Sequence, residues 1–307
     1  MRAIVTGGAG FIGSHVADAL SARGDDVTVV DDLSNGRREN IPEGARLEVR
    51  DIREPLDDLF DELRPEVCFH LAAQASVSVS VQEPVLDAEV NVLGTVRVLE
   101  AALPHGTRVV FSSTGGAIYG ECDDGPVTET AERRPLSPYG TSKLAAEEYL
   151  ASFNRLHGTT HVSLRYANVY GPRQDPHGEA GVVAIFLARL VAGERPRIFD
   201  DGLLTRDYVY VGDVVRASLA AAAGGGGVFN VGTGAETTVL ELFERCRAVT
   251  GVDVQPEFAP PRAGDLRRSV LDPGRAQREF GWRAETSLDD GLARTWAFFE
   301  KESAPAG

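Results

Sequence analysis

A chain of 307 residues with 43% hydrophobic content is long enough to bury one large core or two moderate ones. Its formal net charge of −15, from 46 acidic and 31 basic residues, disfavours nucleic acid and anionic membranes as partners. No apolar run approaches the roughly 20 residues of a membrane span, the opening MRAIVTGG reads as a strand and not a secretory leader, and a soluble cytoplasmic protein is expected. Cys68, Cys122 and Cys246 lie far apart, and the histidines form no HxxH or HExxH pair. Neither a disulfide nor a metal site is therefore expected, and the cysteines read as small core or surface residues.

From residue 2 to about 170, short β-branched runs alternate with helical patterns. AIVTG, VTVVD, LEVRD, VCFHLA, RVVFSS and HVSLRYANV are the expected strands, and their alternation predicts an α/β fold with a doubly wound parallel sheet of Rossmann type. Beyond it come a helix near 181–192, a strand RDYVYV at 206–211, a flexible GGGG at 224–227, a helix from near Thr238 to just before Gly251, and the Pro-rich EFAPPRAGD. These predict a smaller C-terminal α/β lobe. The expected division gives residues 1–165 and a return segment near 207–231 to the first domain, and 166–206 with 232–307 to the lobe. No repeat of solenoid length is present.

GGAGFIG sets Gly7, Gly10 and Gly13 at three-residue spacing, after the first strand and at the start of a helix. Glycine there permits a tight turn and close approach of a pyrophosphate, whose charge meets the helix N-terminal amides. VTVVD then ends in Asp31, the position from which a carboxylate accepts ribose hydroxyls. That carboxylate repels a 2′-phosphate, so NAD is expected over NADP, with Arg37 and Arg38 the nearby residues that argue the other way. Asp51, in RDI, is placed either to receive an adenine amino group or to cap a loop.

SPYGTSK makes Ser137 an expected N-cap and Pro138 the first helical residue, with Tyr139 and Lys143 four apart on one face. A phenol with a pKa of about 10 is a poor base. A neighbouring ammonium, a helix N-terminus and a cationic nicotinamide ring each favour the phenolate. Lys143 and Lys301 are the only lysines, so a chain that otherwise uses arginine keeps a compact ammonium here. FSST at 111–114 brings hydroxyls to the carboxyl edge of the sheet, where Thr114 is the expected proton relay and Ser113 the alternative.

TGGAGFIG, FSST and YxxxK, in that order and at domain-scale spacing, resemble the extended short-chain dehydrogenase/reductase family. The likeness continues through HLAAQ at 70–74, NVLGT at 91–95, RYANVYGPRQ at 165–174, RDYVYV, FNVGTG at 229–234 and PRAGD at 261–265, and so covers nearly the whole chain. Within the family the sequence is most similar to the nucleotide-sugar epimerases, and among them to the bacterial UDP-glucose 4-epimerases. In related dehydratases the threonine of FSST is followed by Asp-Glu, and related decarboxylases usually keep a glutamate. Gly115 and Gly116 stand there instead, without a proton to give or take.

The resemblance implies an NAD-dependent isomerase that epimerises carbon 4 of a UDP-hexose, with UDP-glucuronate 4-epimerisation as the first alternative and another extended short-chain nucleotide-sugar enzyme, a dehydratase or decarboxylase, as the second. In the cofactor site it implies Gly7, Gly10, Phe11, Ile12 and Gly13 of the turn, then Asp31, Asp32, Asn35 and Gly36, then Asp51 and Ile52. Leu71, Ala72, Ala73 and Gln74 follow, with Asn91, Ser112, Tyr139, Lys143, Tyr166, Ala167 and Val169. Around the UDP-sugar it implies Ser76, Thr114, Gly115, Gly116, Tyr139, Val182 and Val183. Asn168, Arg206 and Arg262 are expected on the phosphates, Asp265 on the uridine ribose, and Ser269 beside the sugar. Bulk at the Ser269 position goes with exclusion of N-acetylated hexoses in the family, so its small size implies that these fit. A homodimer through the helices near 84–103 and 139–155 is also implied.

Overall fold

The computed structural model describes residues 1–121, 125–177, 181–262 and 265–303, so Cys122 lies outside the described residues. Seven strands make the main sheet, all neighbours parallel, in the order Gly227–Val231, Val162–Tyr166, Arg108–Thr114, Val67–His70, Arg2–Thr6, Asp26–Val30 and Arg46–Glu48. The chain begins in the middle, fills one side and then returns to fill the other. The reversal between Arg2–Thr6 and Val67–His70 opens a crevice at their carboxyl ends, where ligands of doubly wound sheets bind.

The strands are apolar on both faces because helices cover both. On one face Val5, Val29, Phe69 and Val110 pack with Leu20 of helix Phe11–Ala22 and Val214 of helix Val211–Ala223. On the other, Ile4, Val30, Cys68 and Phe111 pack with Phe60, Leu99 and Leu150. A second core joins Val183 and Leu187 of helix Val182–Val191, Phe243 and Cys246 of helix Val239–Thr250, and Leu292 of the C-terminal helix. Ala276 and Trp282 lie in the chain beyond the last strand of the main sheet. They join the first core, where Trp282 Nε1 donates to Asp213 O at 2.9 Å.

Local signals hold where they were read. Thr238 caps its helix in a reciprocal box with Glu241, and Gly251 ends it at φ +69°. Two expected strands are each divided. HVSLRYANV becomes Val162–Tyr166 in the main sheet and Asn168–Tyr170, which pairs with Tyr208–Tyr210. RDYVYV breaks at Asp207, leaving Thr205–Arg206 in a small sheet with Thr237–Thr238 and Arg268–Ser269.

Asp207 explains the second break. Its amide donates to Ser269 O and its carbonyl accepts from Asn168 N. Its fully buried carboxylate takes the Thr233 and Gly234 amides and the Thr233 hydroxyl. A residue bonded in three directions cannot continue one ladder. The glycines 224–227 also depart from the expected flexible link: a Cβ on Gly224 would stand 2.3 Å from Phe280 Cε1, and Gly227 opens the last strand at φ +125°. Glycine is used there for close approach.

Candidate active site

The glycine turn lies at the crevice. Gly7 has φ +67°, and a Cβ on it would stand 2.6 Å from Ala72 N, so turn and packing both require glycine. A Cβ on Gly13 would meet Gly7 O at 2.1 Å. Gly10 precedes helix Phe11–Ala22 without a side-chain cap, and the first turn carries no acidic residue. Its amides and dipole therefore suit an anion.

Asp31, 7% exposed, accepts from the Ala9 amide through Oδ2 and the Leu33 amide through Oδ1, both at 2.9 Å. This fixes the carboxylate against the turn, with Gly36 close beside it. Asp32 accepts from the amide and hydroxyl of Ser34, and Asn35 is exposed on the same loop. Asp51 lies beyond the short strand Arg46–Glu48. Both its oxygens are taken by Arg53, through the amide and the guanidinium, which hold the carboxyl below its usual range. The contacts present at Asp51 are those of a loop cap, and Ile52 is buried against Gly94.

The Thr6 hydroxyl accepts from the Leu71 and Ala72 amides, which leaves its proton to His70 Nδ1 at 2.7 Å. His70 Nε2 then donates to Thr95, whose hydroxyl donates to Asn91 O. This direction of donation requires a neutral imidazole, and burial, with the Lys143 charge second, pushes the His70 pKa down to about 3. Asn91, 1% exposed, bonds Gln74 at both its amide and carbonyl and so acts on the crevice through Gln74. Leu71, Ala72, Ala73 and Gln74 form the half-buried loop at the strand's end, and Ser76 caps the helix Val77–Gln82 that follows.

Helix Pro138–His157 starts with Ser137 accepting from the Gly140 amide, and it carries Tyr139 and Lys143 one turn apart. Tyr139 is half-buried and near enough to Thr114 for the threonine to favour its phenolate. Lys143 is 3% exposed, and its Nζ donates to Ser112 O at 2.9 Å and lies 4.7 Å from the Phe111 ring centroid. Burial pushes Tyr139 up to about 12, assisted by Asp87 and opposed by Thr114. Burial also brings Lys143 down to about 8, against the opposing pull of Asp87 and Glu147. Tyr166, 5% exposed, shares a hydrogen bond with Ser218 beside this pair, while Ala167 and Val169 are half-buried at the next turn of chain.

Ser113 is not brought to Tyr139. Strand alternation turns it to the opposite face from Thr114, where its buried hydroxyl donates to Glu147. Glu147 pairs with Arg165, each side chain 2% exposed. Arg165 also donates to Tyr119, and Tyr119 to Asn230. This buried network ties helix Pro138–His157 to three strands, Arg108–Thr114, Val162–Tyr166 and Gly227–Val231. Glu147 follows Lys143 by four residues, a spacing legible in the sequence; Arg165, His70 and Asp207 carry no such local mark.

The segment after Thr114 becomes a helical turn, Gly115–Ile118. A Cβ on Gly115 would lie 2.5 Å from Leu271 Cδ1. One on Gly116 would instead face Asn168 Oδ1 and Ser269 Oγ at 3.9 Å and Thr114 Oγ1 at 4.0 Å. Thr114 and Gly116, Asn168, and Ser269 thus converge from three separate segments. Ser269, 8% exposed, stands in register with half-buried Arg206. Arg262 stacks on Phe199 at 3.7 Å, and both Arg262 and Asp265 are exposed on either side of the undescribed residues 263–264. Val182 is half-buried, but Val183 is 1% exposed within the second core and does not reach the crevice.

Comparison with known proteins agrees with this geometry. The chain is 49% identical, over 99% of its length and all of the relative's, to a UDP-glucose 4-epimerase of Mycolicibacterium smegmatis. It superposes on the UDP-glucose 4-epimerase of Thermotoga maritima, solved with UDP-glucose, with TM-score 0.97 and 50% identity over 98% of this chain and 99% of that one. A UDP-N-acetylglucosamine 4-epimerase of Methanobrevibacter ruminantium, in complex with UDP-N-acetylmuramic acid, matches with TM-score 0.94 and 34% identity over 98% of each chain. Residues 3–232 match the model of one family, and the chain belongs to it: the NAD dependent epimerase/dehydratase family.

Proposed function

We propose that this protein interconverts the carbon-4 epimers of a UDP-hexose, UDP-glucose and UDP-galactose first, with NAD as cofactor. One observation carries the reading: Thr114, at the carboxyl edge of the sheet, favours the Tyr139 phenolate, Lys143 lies buried one turn along the same helix on Ser112 O, and the two residues after Thr114 are glycines. The site holds a base and a relay for one hydroxyl proton, and Gly115 and Gly116 offer no acid or base for an elimination. The names of the Mycolicibacterium and Thermotoga relatives support the same reaction.

NAD fits the residues present: the uncapped glycine turn suits its pyrophosphate, and the Asp31 carboxylate beside that turn suits a ribose diol. When bound it supplies reversible oxidation at carbon 4 and a positive charge that favours the Tyr139 phenolate. Tyr139 takes the carbon-4 hydroxyl proton with Thr114 as relay, and Lys143 holds the phenolate. The keto sugar turns over, and Tyr139 returns the proton on the opposite face. Arg206, Arg262 and Asn168 grip the phosphates and Asp265 the ribose, so the nucleotide is held while the hexose is free to rotate.

Residues 1–165 with 207–231 form the cofactor unit in this reading, and 166–206 with 232–307 the nucleotide-sugar lobe, its segment 274–282 docked back on the first core. Val81, Val85, Leu93, Leu136 and Tyr149 are exposed on or beside the two helices expected to pair, which supports a homodimer. The protein acts in the cytoplasm; among the described residues no helix is long and apolar enough to cross a membrane.

A wider substrate range has one observation in its favour. Ser269 and Gly116 leave room beside Thr114 and Asn168, and the Methanobrevibacter relative is named for an N-acetylated sugar.

The test is to incubate the purified protein with UDP-galactose and follow the anomeric proton signals by NMR. Growth of UDP-glucose signals is the expected result. No conversion, with NAD added, would transfer the reading to another sugar such as UDP-glucuronate.

A further inference from the structure

Asp87 is 1% exposed on the short helix Pro84–Ala88, which packs against helix Pro138–His157. Its Oδ1 accepts from Gln74 Nε2 at 2.8 Å and from Asn91 Nδ2 at 3.0 Å. Its Oδ2 is buried with no hydrogen-bond partner among the described residues. Asn91 Nδ2 also donates to Ser142 Oγ at 3.1 Å, and Ser142 is the neighbour of Lys143. A groove of about 500 Å³ between residues 84–92 and 135–145 has Asp87 and Ser142 in its wall.

A buried carboxylate oxygen without a donor is costly unless a positive charge faces it. The surrounding elements narrow the choice of that charge. Strand Val67–His70 offers His70, neutral by its hydrogen bonds. Strand Val162–Tyr166 offers Arg165, which is spent on Glu147, and the phenol Tyr166. The catalytic helix offers Tyr139, Glu147 and Lys143, and the segment carrying Asp87 adds only the exposed Glu83 and Glu89. Among the described residues, Lys143 is the buried cation of this cluster that no carboxylate contacts directly.

We propose that Asp87 is a positioning residue for the Tyr139–Lys143 pair: its unpartnered oxygen holds the Lys143 ammonium charged across the helix contact, while Asp87 itself never touches the sugar. This rests on reading Tyr139 as the base and Lys143 as its partner. Asp87 offsets part of the burial that drives Lys143 toward neutrality, and it raises Tyr139 in the same sense. Removing its charge therefore lowers both groups together, which moves a pH profile as a whole and does not merely lower its height.

The two-lysine composition makes the test direct. Protein labelled with ¹³C at lysine Cε gives two signals, from Lys143 and Lys301. In the wild type the Lys143 midpoint is expected at about 8. In Asp87→Asn, which keeps the acceptor for Gln74 and Asn91, it falls by about one pH unit or more, while Lys301 stays in place. The alkaline limb of the kcat profile moves down by the same amount. A wild-type midpoint below neutrality overturns the proposal without any variant. An unmoved Lys143 midpoint in a folded Asp87→Asn, or in Asp87→Ser should the asparagine not fold, overturns it as well. The titration needs no substrate, so absence of epimerisation with the shift intact would count against the functional reading alone.

Discussion

Leu271 places its Cδ1 2.5 Å from where a Cβ on Gly115 would stand, while the same atom on Gly116 would have no neighbour closer than 3.9 Å. Two adjacent glycines therefore have different reasons to be glycine. Gly115→Ala must displace a fully buried leucine, an overpacking that costs about 1–3 kcal/mol. Gly116→Ala meets only ordinary van der Waals contacts. Thermal denaturation should show a clear loss for the first and a near-wild-type midpoint for the second; equal losses would contradict the packing described.

Thr114 and Ser113 should separate cleanly in kinetics. Thr114→Val removes the hydroxyl that acts on Tyr139 and should lower kcat about a hundredfold or more, and Tyr139→Phe at least as much. Ser113→Ala removes one donor from Glu147, at about 1 kcal/mol of stability, and should leave kcat within a few fold. A large kcat loss in Ser113→Ala with unchanged stability would reverse the assignment of the relay.

Ser269→Tyr puts a ring into the space shared with Gly116 and Asn168. Activity on UDP-N-acetylglucosamine should fall relative to UDP-glucose by about tenfold or more, the scale of steric exclusion from a fitted pocket. The readout is the ratio of kcat/KM for the two sugars. A ratio that does not change shows that this edge of the crevice does not bound the hexose.

Acid should destabilise the fold through its buried histidines. Burial lowers His70 to about 3 and His161 to about 4, both below the ordinary value of about 6.5. The unfolded chain therefore takes up these protons first. Their cost is absent above the unfolded pKa and grows as pH falls toward the folded values, at about 1.4 kcal/mol per pH unit for each histidine. Urea denaturation between pH 7 and pH 5 should show the fall, and His161→Gln should reduce its slope by close to one proton.

What the sequence revealed was local. The glycine turn, the Ser137 cap, the Thr238 box and the alternating runs each act within a few residues, so each left a pattern in the chain. What it hid depends on distant partners. The Glu147–Arg165 pair spans 18 residues and the Asp207–Thr233 contacts 26, and neither residue type announces burial. Val183 shows the converse: its position follows the family pattern, but the helix face it occupies turns into the second core. Gly224, in a run that reads as slack, is fixed by a phenylalanine 56 residues on, whose approach no local rule anticipates.

The placement of Gly227–Val231 at the end of the sheet has a consequence for how the chain may be divided. Val162–Tyr166 finds its outer neighbour only after sixty further residues have been made. A fragment ending near residue 165 would carry the glycine turn, Tyr139 and Lys143, yet present an unpaired β-edge. Such an edge is a template for other chains. Expressed alone, that fragment should aggregate, and its solubility should return once the chain extends past Val231.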